Sequence, residues 1–398
     1  MVKFADRIQP CDNGLSDIFA YANDPALISF AAGYPNNHLF PQNELQTAFN
    51  ASLTDSASLQ YSSAAGLKSL RAKIAAHISD TKRTFNADQI LLTQGAQQGL
   101  DLTAKLLVNP GDGVVVEAPT YLGALSAFDA YQPTYYEVSL QDDGMDLSVL
   151  QKTLMTHSVK FIYTIPDFQN PTGSTLSLAK RHALLQLAER YDVIILEDSP
   201  YRDLRFSGDS LPSLASLDTT DHVISLGSFS KILSPGLRLG WLVAAPQFLQ
   251  PLTELKLGND VQSSTLVMNA IDQYLTEHDI NTHIAKMNRA YVVKMNTMLN
   301  ALDRYLPATV SFTKPTGGFF IYLTLPAEID ANQLLKQVIL PEAKVAYVPS
   351  GSLFPVSHQA NGIRLNFTNL DNDTIESGVK RLGKILTAVL RQPKYAKL

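Results

Sequence analysis

The chain of 398 residues has little of what marks disulfide-rich, membrane or nucleic-acid-binding proteins. Cys11 is its single cysteine, so no disulfide can form within the chain. No uninterrupted apolar run reaches the ~18 residues that a membrane-spanning helix needs. The net charge is −5 and the basic residues are scattered, which argues against a surface for DNA, RNA or anionic lipid. Small molecules are therefore the expected partners.

Two further signals are missing from the chain. The first residues, MVKFADRIQPCDNG, have charges and a proline where a signal peptide would need an apolar core, which predicts a cytoplasmic protein. No G-x-G-x-x-G fingerprint follows a strand pattern, which disfavours an NAD-dependent dehydrogenase. We also expect no metal site.

What the chain does have is the composition of a globular protein, 45% hydrophobic and 17% charged. From about residue 60 to 245, apolar β-rich runs alternate with segments of helical spacing, which predicts an α/β fold with a mostly parallel sheet between helices. The predicted strands are ILLTQ, VVVEAP, TYYEVSL, FIYTIP, VIILED, VISLGS and LGWLVAA. Few residues separate the last two runs, barely enough for a parallel crossover, so one antiparallel strand is expected there.

A second domain is predicted after residue 245, where the pattern changes to long helices and then to short strands. The first forty-odd residues lack a folding unit of their own and are expected to pack against the C-terminal portion. The predicted division is a large domain of residues 48–275 and a discontinuous smaller domain of residues 1–47 and 276–398.

The sharpest chemical signal is the segment SLGSFSKILSPGLRLGW, in which an apolar strand ends at Ser228, Ser230 and Lys231, and Arg238 follows a Pro-Gly turn. Serine hydroxyls and an arginine fork suit the oxygens of a phosphate, and a lysine held beside them can form an imine. A lone lysine is usually a solvated surface charge. The position of Lys231, directly after a buried-type strand and inside a Ser-x-Ser-Lys cluster, favours a functional residue instead.

Three other predicted strands also end in polar groups. TQGAQQGLDL places Gly95 between a strand and a helix, whose free N–H groups and dipole suit an anion. IPDFQNPTG leads into Asn170, and VIILEDSPY leads into Asp198 and Tyr201. Ordinary turn chemistry explains each segment by itself. All four sites together predict a binding site, because ligands bind at the carboxyl edge of such a sheet.

Taken together and in this order, these segments resemble the fold-type I aminotransferases, which depend on pyridoxal phosphate. The branch they resemble holds the α-aminoadipate, kynurenine and aromatic aminotransferases and the enzyme-like domains of MocR regulators. The likeness runs from FAAGYP near residue 30 to GIRLNFT near residue 365. It implies a mostly parallel seven-stranded sheet between helices with a smaller α+β domain, and an enzyme that moves the amino group of an L-amino acid to a 2-oxo acid such as 2-oxoglutarate.

The resemblance implies a role for each of these residues, with Lys231, Asp198 and Tyr201 as the catalytic ones. Lys231 would carry the cofactor as a Schiff base, and Asp198 would pair with its ring nitrogen. Asn170 and Tyr201 would donate to its phenolic oxygen, and Tyr121 in APTYLG would stack on its ring. The implied phosphate ligands are Gly95, Ala96, Gln97, Ser228, Ser230, Arg238 and, from the neighbouring subunit of a homodimer, Tyr61. Many relatives have a serine at the position of Ala96, so this chain lacks one hydroxyl that could bind the phosphate.

The substrate would be held by Arg364 in GIRLNFT, by Asn170 and by the backbone near Gly33 in FAAGYP. Relatives that prefer dicarboxylic substrates often carry Ser-x-Ile-Arg in the N-terminal segment, where this chain has an aromatic residue, Phe19, in place of the arginine. Phe19 is either a core residue or part of the substrate pocket. In the second case aromatic or aliphatic amino acids are favoured, with 2-aminoadipate still possible.

Two other functions stay open on the same motifs. The cofactor-binding residues alone do not choose which bond is broken, so a pyridoxal-phosphate-dependent carbon–sulfur β-lyase is one alternative. The other is a non-catalytic, ligand-sensing domain like that of the MocR regulators. Those regulators join such a domain to an N-terminal helix-turn-helix unit, for which the segment before FAAGYP is too short.

Overall fold

The structure, a computed structural model, describes residues 2–5, 7–8 and 14–391. Cys11 lies outside these described residues. The strands, in chain order, are β1 (Ile28–Ser29), β2 (Ile90–Thr93), β3 (Gly113–Ala118), β4 (Thr134–Gln141), β5 (Gly144–Met145), β6 (Val159–Thr164), β7 (Ile194–Asp198), β8 (Val223–Ser228), β9 (Gly240–Val243), β10 (Ser311–Phe312), β11 (Phe320–Thr324), β12 (Val345–Ala346), β13 (Val348–Pro349) and β14 (Gly362–Asn366).

Helices occupy most of the chain between the strands. The α-helices are α1 (Leu15–Asn23), α2 (Gln42–Leu53), α3 (Lys68–Ile78), α4 (Ala96–Leu107), α5 (Leu122–Phe128), α6 (Leu147–Thr156), α7 (Leu178–Tyr191), α8 (Leu214–Leu217), α9 (Pro246–Asp260), α10 (Thr265–Glu277), α11 (Ile280–Tyr305), α12 (Ala331–Leu334) and α13 (Asn372–Arg391). A π-helical segment spans Leu335–Ala343, and short 3-10 helices lie at Asn37–Leu39, Ser56–Leu59, Ala87–Gln89, Asp129–Tyr131, Pro235–Leu237 and Gly351–Leu353.

The large sheet has the strand order β2-β9-β8-β7-β6-β3-β4-β5. The strands from β8 to β4 run parallel, whereas β9 is antiparallel to both β2 and β8. All the predicted strands lie in this sheet, so the mostly parallel α/β fold is confirmed, and the two-residue β5 was not predicted. The expected antiparallel strand is β9, because residues 229–238 form only turns and one short 3-10 helix instead of a crossover helix.

Strands of the large sheet are buried on both faces, and the edge strand β2 is among them. Every residue of β2 is buried, and β3 and β6 each have a single residue that is not. This is the pattern of strands that lie between two layers of helices, and it explains why their sequences are apolar runs instead of alternating ones. Three of the segments of helical spacing in residues 60–245 form α3, α4 and α7.

A second, antiparallel sheet has the order β10-β11-β14-β13, and the long helices α11 and α13 pack against each other beside it. Near the N-terminus, β1 pairs in parallel with β12, which confirms that this segment packs against the C-terminal portion. The predicted domain boundaries, at 47/48 and 275/276, fall inside α2 and α10, which pack on each other. The division into domains stays a prediction. Among the described helices, none is both long and apolar enough to cross a membrane.

Candidate active site

The carboxyl ends of β6, β7 and β8 border a cavity of about 480 Å³. This is the edge at which α/β sheets bind ligands. The cavity collects most of the side chains that the sequence singled out from distant segments: Phe19, Gly33, Ala96, Gln97, Tyr121, Asn170, Asp198, Tyr201, Ser228, Ser230, Lys231, Arg238 and Arg364. Gly95 lies just behind this wall, since a Cβ there would come within 2.9 Å of Arg238 Nη2. Tyr61 does not line the cavity and is 78% exposed.

Lys231 follows β8, and its Nζ donates a hydrogen bond to the backbone oxygen of Gly33 over 2.8 Å. Burial lowers the pKa of Lys231 to about 8, and the cations of Arg364 and Arg238 contribute to this decrease. The charge of Asp198 opposes it. A lysine with this pKa is about one-fifth neutral at pH 7.4, whereas an ordinary lysine is only about one-thousandth neutral. Its amine can therefore act as a nucleophile or accept a proton.

Asp198 is the last residue of β7 and is buried. Its Oδ2 accepts a hydrogen bond from the Tyr163 hydroxyl over 2.9 Å, and its Oδ1 has no donor among the described residues. Burial raises the pKa of Asp198 to about 6, and Glu197 adds to the rise, while Tyr163 and Lys231 lower it. A buried carboxylate oxygen without a donor costs free energy, so this oxygen suits a ligand that brings a proton to it.

Arg364 comes from β14 of the second sheet and reaches the cavity from the opposite side. Its Nη1 donates to Asn170 Oδ1 over 2.9 Å and its Nη2 to the backbone oxygen of Ala31 over 2.5 Å, whereas its Nε finds no acceptor in the described part of the chain. The guanidinium lies over the Phe320 ring at 4.3 Å, and burial lowers the pKa of Arg364 to about 10. A buried cation held in this way suits a carboxylate.

An anion-binding corner lies where β8 and the start of α4 meet. Ser228 Oγ is 2.9 Å from Ser230 Oγ, and Arg238 Nη2 donates to the backbone oxygen of Gln94 over 3.1 Å. The chain passes Gly95 with a φ of 76°, a conformation that suits glycine, and α4 begins at the next residue. Hydroxyls, a guanidinium and a helix N-terminus together fit a phosphate. The Gln97 side chain donates to the Gly123 oxygen over 2.6 Å. Its backbone N–H lies in the first turn of α4, where N–H groups have no partner within the helix and suit a ligand.

Aromatic and amide groups form the walls of the cavity. Burial raises the pKa of Tyr201, and Tyr121 and Asp198 raise it further, so the Tyr201 phenol keeps its proton and can donate. The Tyr121 side chain passes directly over Gly123, where a Cβ would come within 2.4 Å of its hydroxyl. The missing side chain at Gly123 therefore lets the tyrosine ring take this position.

Phe19 lies on α1, lines the cavity and is 50% exposed. The alternative in which Phe19 is a core residue is therefore wrong. Ile18, Val348 and Leu353 line the same cavity, so much of the wall is apolar. Its cations, within the described residues, are those of Lys231, Arg238 and Arg364.

Two buried residues near the cavity were missed by the sequence analysis, Tyr163 and Glu117. Glu117, on β3, accepts hydrogen bonds from Thr164 Oγ1 over 2.5 Å and from Gln169 Nε2 over 3.0 Å. Burial raises the pKa of Glu117 to about 7, and Asp198 adds to this rise. The available signal was a polar side chain inside an otherwise apolar strand, because such a group needs a partner when it is buried.

The family model for aminotransferase class I and II matches residues 27–382. This chain belongs to that family. The aminotransferase is 37% identical over 374 residues to aromatic-amino-acid aminotransferase 1 of Thermococcus litoralis, a match that covers 92% of this chain and 89% of that protein. It is also 37% identical to the 2-aminoadipate transaminase of Thermus thermophilus over 393 residues, or 98% of this chain and 96% of that protein.

The aminotransferase also resembles solved structures along almost its whole length. One is an α-aminoadipate aminotransferase from Thermus thermophilus in complex with N-(5′-phosphopyridoxyl)-L-leucine, with a TM-score of 0.89 and 36% identity over 97% of this chain and 96% of that chain. These comparisons confirm the predicted resemblance, the fold-type I architecture, and an enzyme of the aminotransferase type whose cofactor is pyridoxal phosphate. They do not favour the β-lyase or the non-catalytic sensing domain.

The cavity of this aminotransferase fits its cofactor in chemistry. A phosphate finds the anion-binding corner, an aldehyde finds the amine of Lys231, and a protonated ring nitrogen finds the Oδ1 of Asp198, which has no donor within the described chain. The Nε of Arg364, which lacks an acceptor in the same residues, is available to a carboxylate. These four groups of pyridoxal phosphate and an amino acid therefore each have a complementary group here.

Proposed function

We propose that Lys231 holds pyridoxal phosphate covalently, and that this aminotransferase moves the amino group of an aromatic or aliphatic L-amino acid to a 2-oxo acid such as 2-oxoglutarate. One observation carries the proposal. The amine of Lys231, with its lowered pKa, shares a single cavity with the buried carboxylate of Asp198 and the buried guanidinium of Arg364. Nucleophile, electronic partner and substrate anchor are then within reach of one small molecule.

The cofactor, when bound, supplies an electron sink for the negative charge that develops at the substrate Cα. We assign its phosphate to the start of α4 and to Ser228, Ser230 and Arg238. Asp198 holds a proton at the ring nitrogen, because a carboxylate beside that nitrogen favours its charged form. Tyr121 covers the ring, and the remaining polar wall groups, Asn170 and Tyr201, serve its phenolic oxygen.

The protein's own groups then orient the substrate and move its proton. Arg364 binds the α-carboxylate through its guanidinium, which fixes the direction of the Cα–H bond. The incoming amino group releases the amine of Lys231, and this amine then accepts the proton from the substrate Cα. The same amine can donate the proton at C4′ of the cofactor. A pKa of about 8 suits both directions near neutral pH.

The substrate preference follows from the apolar part of the wall. Phe19 and Ile18 on α1 face the cavity together with Val348 and Leu353, and they offer dispersion contacts without a charge. An aromatic or branched aliphatic side chain gains from this surface, whereas a second carboxylate would lose hydration without gaining an ion pair from it. Of the relatives, one is named for aromatic amino acids and another for 2-aminoadipate, so 2-aminoadipate is the competing substrate to test.

The test is a comparison of kcat/KM for phenylalanine, leucine and 2-aminoadipate, with 2-oxoglutarate as acceptor. We expect the wild type to prefer phenylalanine or leucine. Phe19→Arg should shift the ratio toward 2-aminoadipate by about tenfold or more, because it adds a charged partner for the distal carboxylate. Met155→Arg is the matched control, since Met155 is also exposed but lies outside the cavity, and it should leave the ratio unchanged. A wild-type preference for 2-aminoadipate would contradict the proposed substrate class.

We also propose a homodimer in which Tyr61 reaches the phosphate of the other subunit's cofactor. Tyr61 is highly exposed and lies outside the cavity of its own chain, and Leu59 and Val261 near it are exposed as well. Ser62 N is hydrogen-bonded to Gln262 Oε1, which brings the two exposed segments together. Grouped apolar side chains of this kind are typical of an interaction surface. Sedimentation of the protein at micromolar concentration tests the dimer.

The cytoplasmic location of the protein stays a prediction.

A further inference from the structure

We propose that Tyr163 is a positioning residue, which acts through Asp198 and stabilises its carboxylate in the charged form that the cofactor's ring nitrogen needs. The inference rests on the function proposed above. Tyr163 lies on β6 and Asp198 on the adjacent parallel strand β7, where Tyr163 pairs with Leu196. The Tyr163 hydroxyl donates to Asp198 Oδ2 over 2.9 Å, and both side chains are buried.

The ring of Tyr163 is held by neighbouring aromatic side chains. Phe128, on α5, meets Tyr163 edge to face with the ring centroids 5.5 Å apart, and it meets Phe161 in the same way at 5.2 Å. Tyr163 and Phe128 are both fully buried. The hydroxyl therefore needs little further ordering to reach Asp198, and its position is set by packing that does not depend on any ligand.

The hydroxyl of Tyr163 can act only as a donor toward this carboxylate. Burial raises the pKa of Tyr163 well above its usual value, and the charge of Asp198 raises it further, so the phenol keeps its proton. A hydrogen bond from a neutral donor to a carboxylate stabilises the charged form. Tyr163 therefore opposes the effect of burial on Asp198.

The two oxygens of Asp198 have different roles in this arrangement. Oδ2 is occupied by Tyr163, and Oδ1 has no donor from the described residues. The titratable groups that interact with Asp198 are Tyr163 on β6, Lys231 after β8, Glu197 on β7, Glu117 on β3, and the phenols Tyr121 and Tyr201. Of these, Tyr163 and Lys231 favour its charge, whereas Glu197 disfavours it.

The loss of the Tyr163 hydroxyl therefore has a definite consequence. Tyr163→Phe keeps the ring and its packing, but the carboxyl of Asp198 becomes neutral at a higher pH. A neutral carboxyl no longer favours a protonated ring nitrogen. The effect should be large where Asp198 titrates, near pH 6, and should disappear at alkaline pH, where the carboxylate is charged with or without Tyr163.

The experiment measures the dissociation constant of 4′-deoxypyridoxine 5′-phosphate for the apoprotein from pH 5.5 to 8.5. This probe has the ring nitrogen and the phosphate but no aldehyde, so it reports the Asp198 contact without the covalent bond to Lys231. We expect the ratio of the Tyr163→Phe constant to the wild-type constant to be close to one at pH 8.5 and to rise to about fivefold to tenfold at or below pH 6. A ratio that does not change with pH would overturn the inference.

Two controls separate positioning from a general loss of structure. Tyr347 is also fully buried, and its hydroxyl donates to the Ala331 oxygen over 2.8 Å, so Tyr347→Phe deletes an equivalent hydroxyl elsewhere and should leave the ratio at one. In an Asp198→Asn background, Tyr163→Phe should no longer produce a pH-dependent ratio. Persistence of that dependence in the double variant would show that Tyr163 acts on another group, which also overturns the inference.

The failure of this inference can be distinguished from the failure of the proposed function. A ratio that stays flat while Lys231 still holds pyridoxal phosphate would remove only the role of Tyr163. A wild-type protein that attaches pyridoxal phosphate elsewhere, or not at all, would remove the proposed function itself.

Discussion

Two groups of buried charged residues differ in how their polar atoms are satisfied. In the core pair, Arg181 and Asp167, every side-chain nitrogen of the arginine donates a hydrogen bond, and its Nη2 lies 2.7 Å from Asp167 Oδ1. In the cavity cluster, Lys231, Asp198 and Arg364, atoms are left over: Asp198 Oδ1 and Arg364 Nε have no partner among residues that the structure describes.

The difference separates a structural group from a binding group. In both groups, the removal of charges from water costs free energy. Only in the core pair do contacts within the protein offset that cost. In the cavity cluster, the cost is offset when a ligand supplies the missing partners. Burial without those partners lowers the pKa of Lys231 to about 8 and raises the pKa of Asp198 to about 6. Burial of charge is therefore a poor marker of function by itself. What distinguishes the cavity cluster is that its unsatisfied atoms belong to residues that line a cavity.

The largest effect is expected in the core pair. Arg181→Met should lower the free energy of unfolding by roughly 3 kcal/mol, because it leaves the buried carboxylate of Asp167 with only its longer contacts to Arg205 and Arg202, at 3.4 and 3.9 Å. The midpoint of urea unfolding measures this change. Arg304→Met is the matched control, since Arg304 forms an exposed ion pair with Glu376 at 3.2 Å, and it should cost less than about 1 kcal/mol. Equal shifts for the two variants would show that the core pair is not a structural group in this sense.

The opposite pattern is expected for the cavity cluster. Asp198→Asn should lower kcat/KM by up to several hundredfold, because a charge pair at about 4 Å and an effective dielectric of 20 is worth roughly 4 kcal/mol at most. It should not lower stability at pH 8. The folded-state pKa of Asp198 is raised to about 6, so the ionised carboxylate costs stability as the pH rises from its usual pKa to 6, and the amide removes that cost. A loss of stability in the Asp198→Asn apoprotein comparable to that of Arg181→Met would end the contrast between the two groups.

A smaller effect is expected from the lowered pKa of Lys231, in the pH dependence of covalent attachment. The rate at which the apoprotein takes up pyridoxal phosphate into covalent linkage should rise with pH, reach half its maximum near pH 8 and level off above about pH 9, because the attacking amine must be neutral. Between pH 9 and pH 7 the neutral fraction, and with it the rate, should fall about tenfold. An N-acetyl-lysine solution is the control, and its rate should still be rising at pH 10. A protein rate that also keeps rising at pH 10 would mean that the cavity does not lower the pKa of Lys231.

The sequence was sufficient to predict those parts of the site that local patterns encode. Lys231, Asp198 and Asn170 each follow an apolar run, and the sheet brings the ends of those runs to one edge whatever their distance along the chain. The sequence also predicted the antiparallel strand β9, because the connection before it is too short for a parallel crossover. These features depend on strand order only through general rules.

The parts that the sequence did not predict depend on contacts between particular side chains. Tyr163 and Asp198 are 35 residues apart, and Glu117 and Gln169 are 52 apart, and they meet only because β3, β6 and β7 are neighbours in a particular register. Within its own strand, Tyr163 looks like one more buried aromatic residue. Phe19 is similar, because nothing in its surrounding pattern distinguishes a core phenylalanine from one in the cavity wall.

The central claim, that Lys231 holds the cofactor, is tested most directly by reduction of the pyridoxal-phosphate-loaded protein with borohydride, followed by digestion and mass spectrometry. We expect one phosphopyridoxyl group per chain on Lys231, and no labelled peptide from Lys231→Ala. A label on any other lysine of the wild-type protein, or no label, would contradict it.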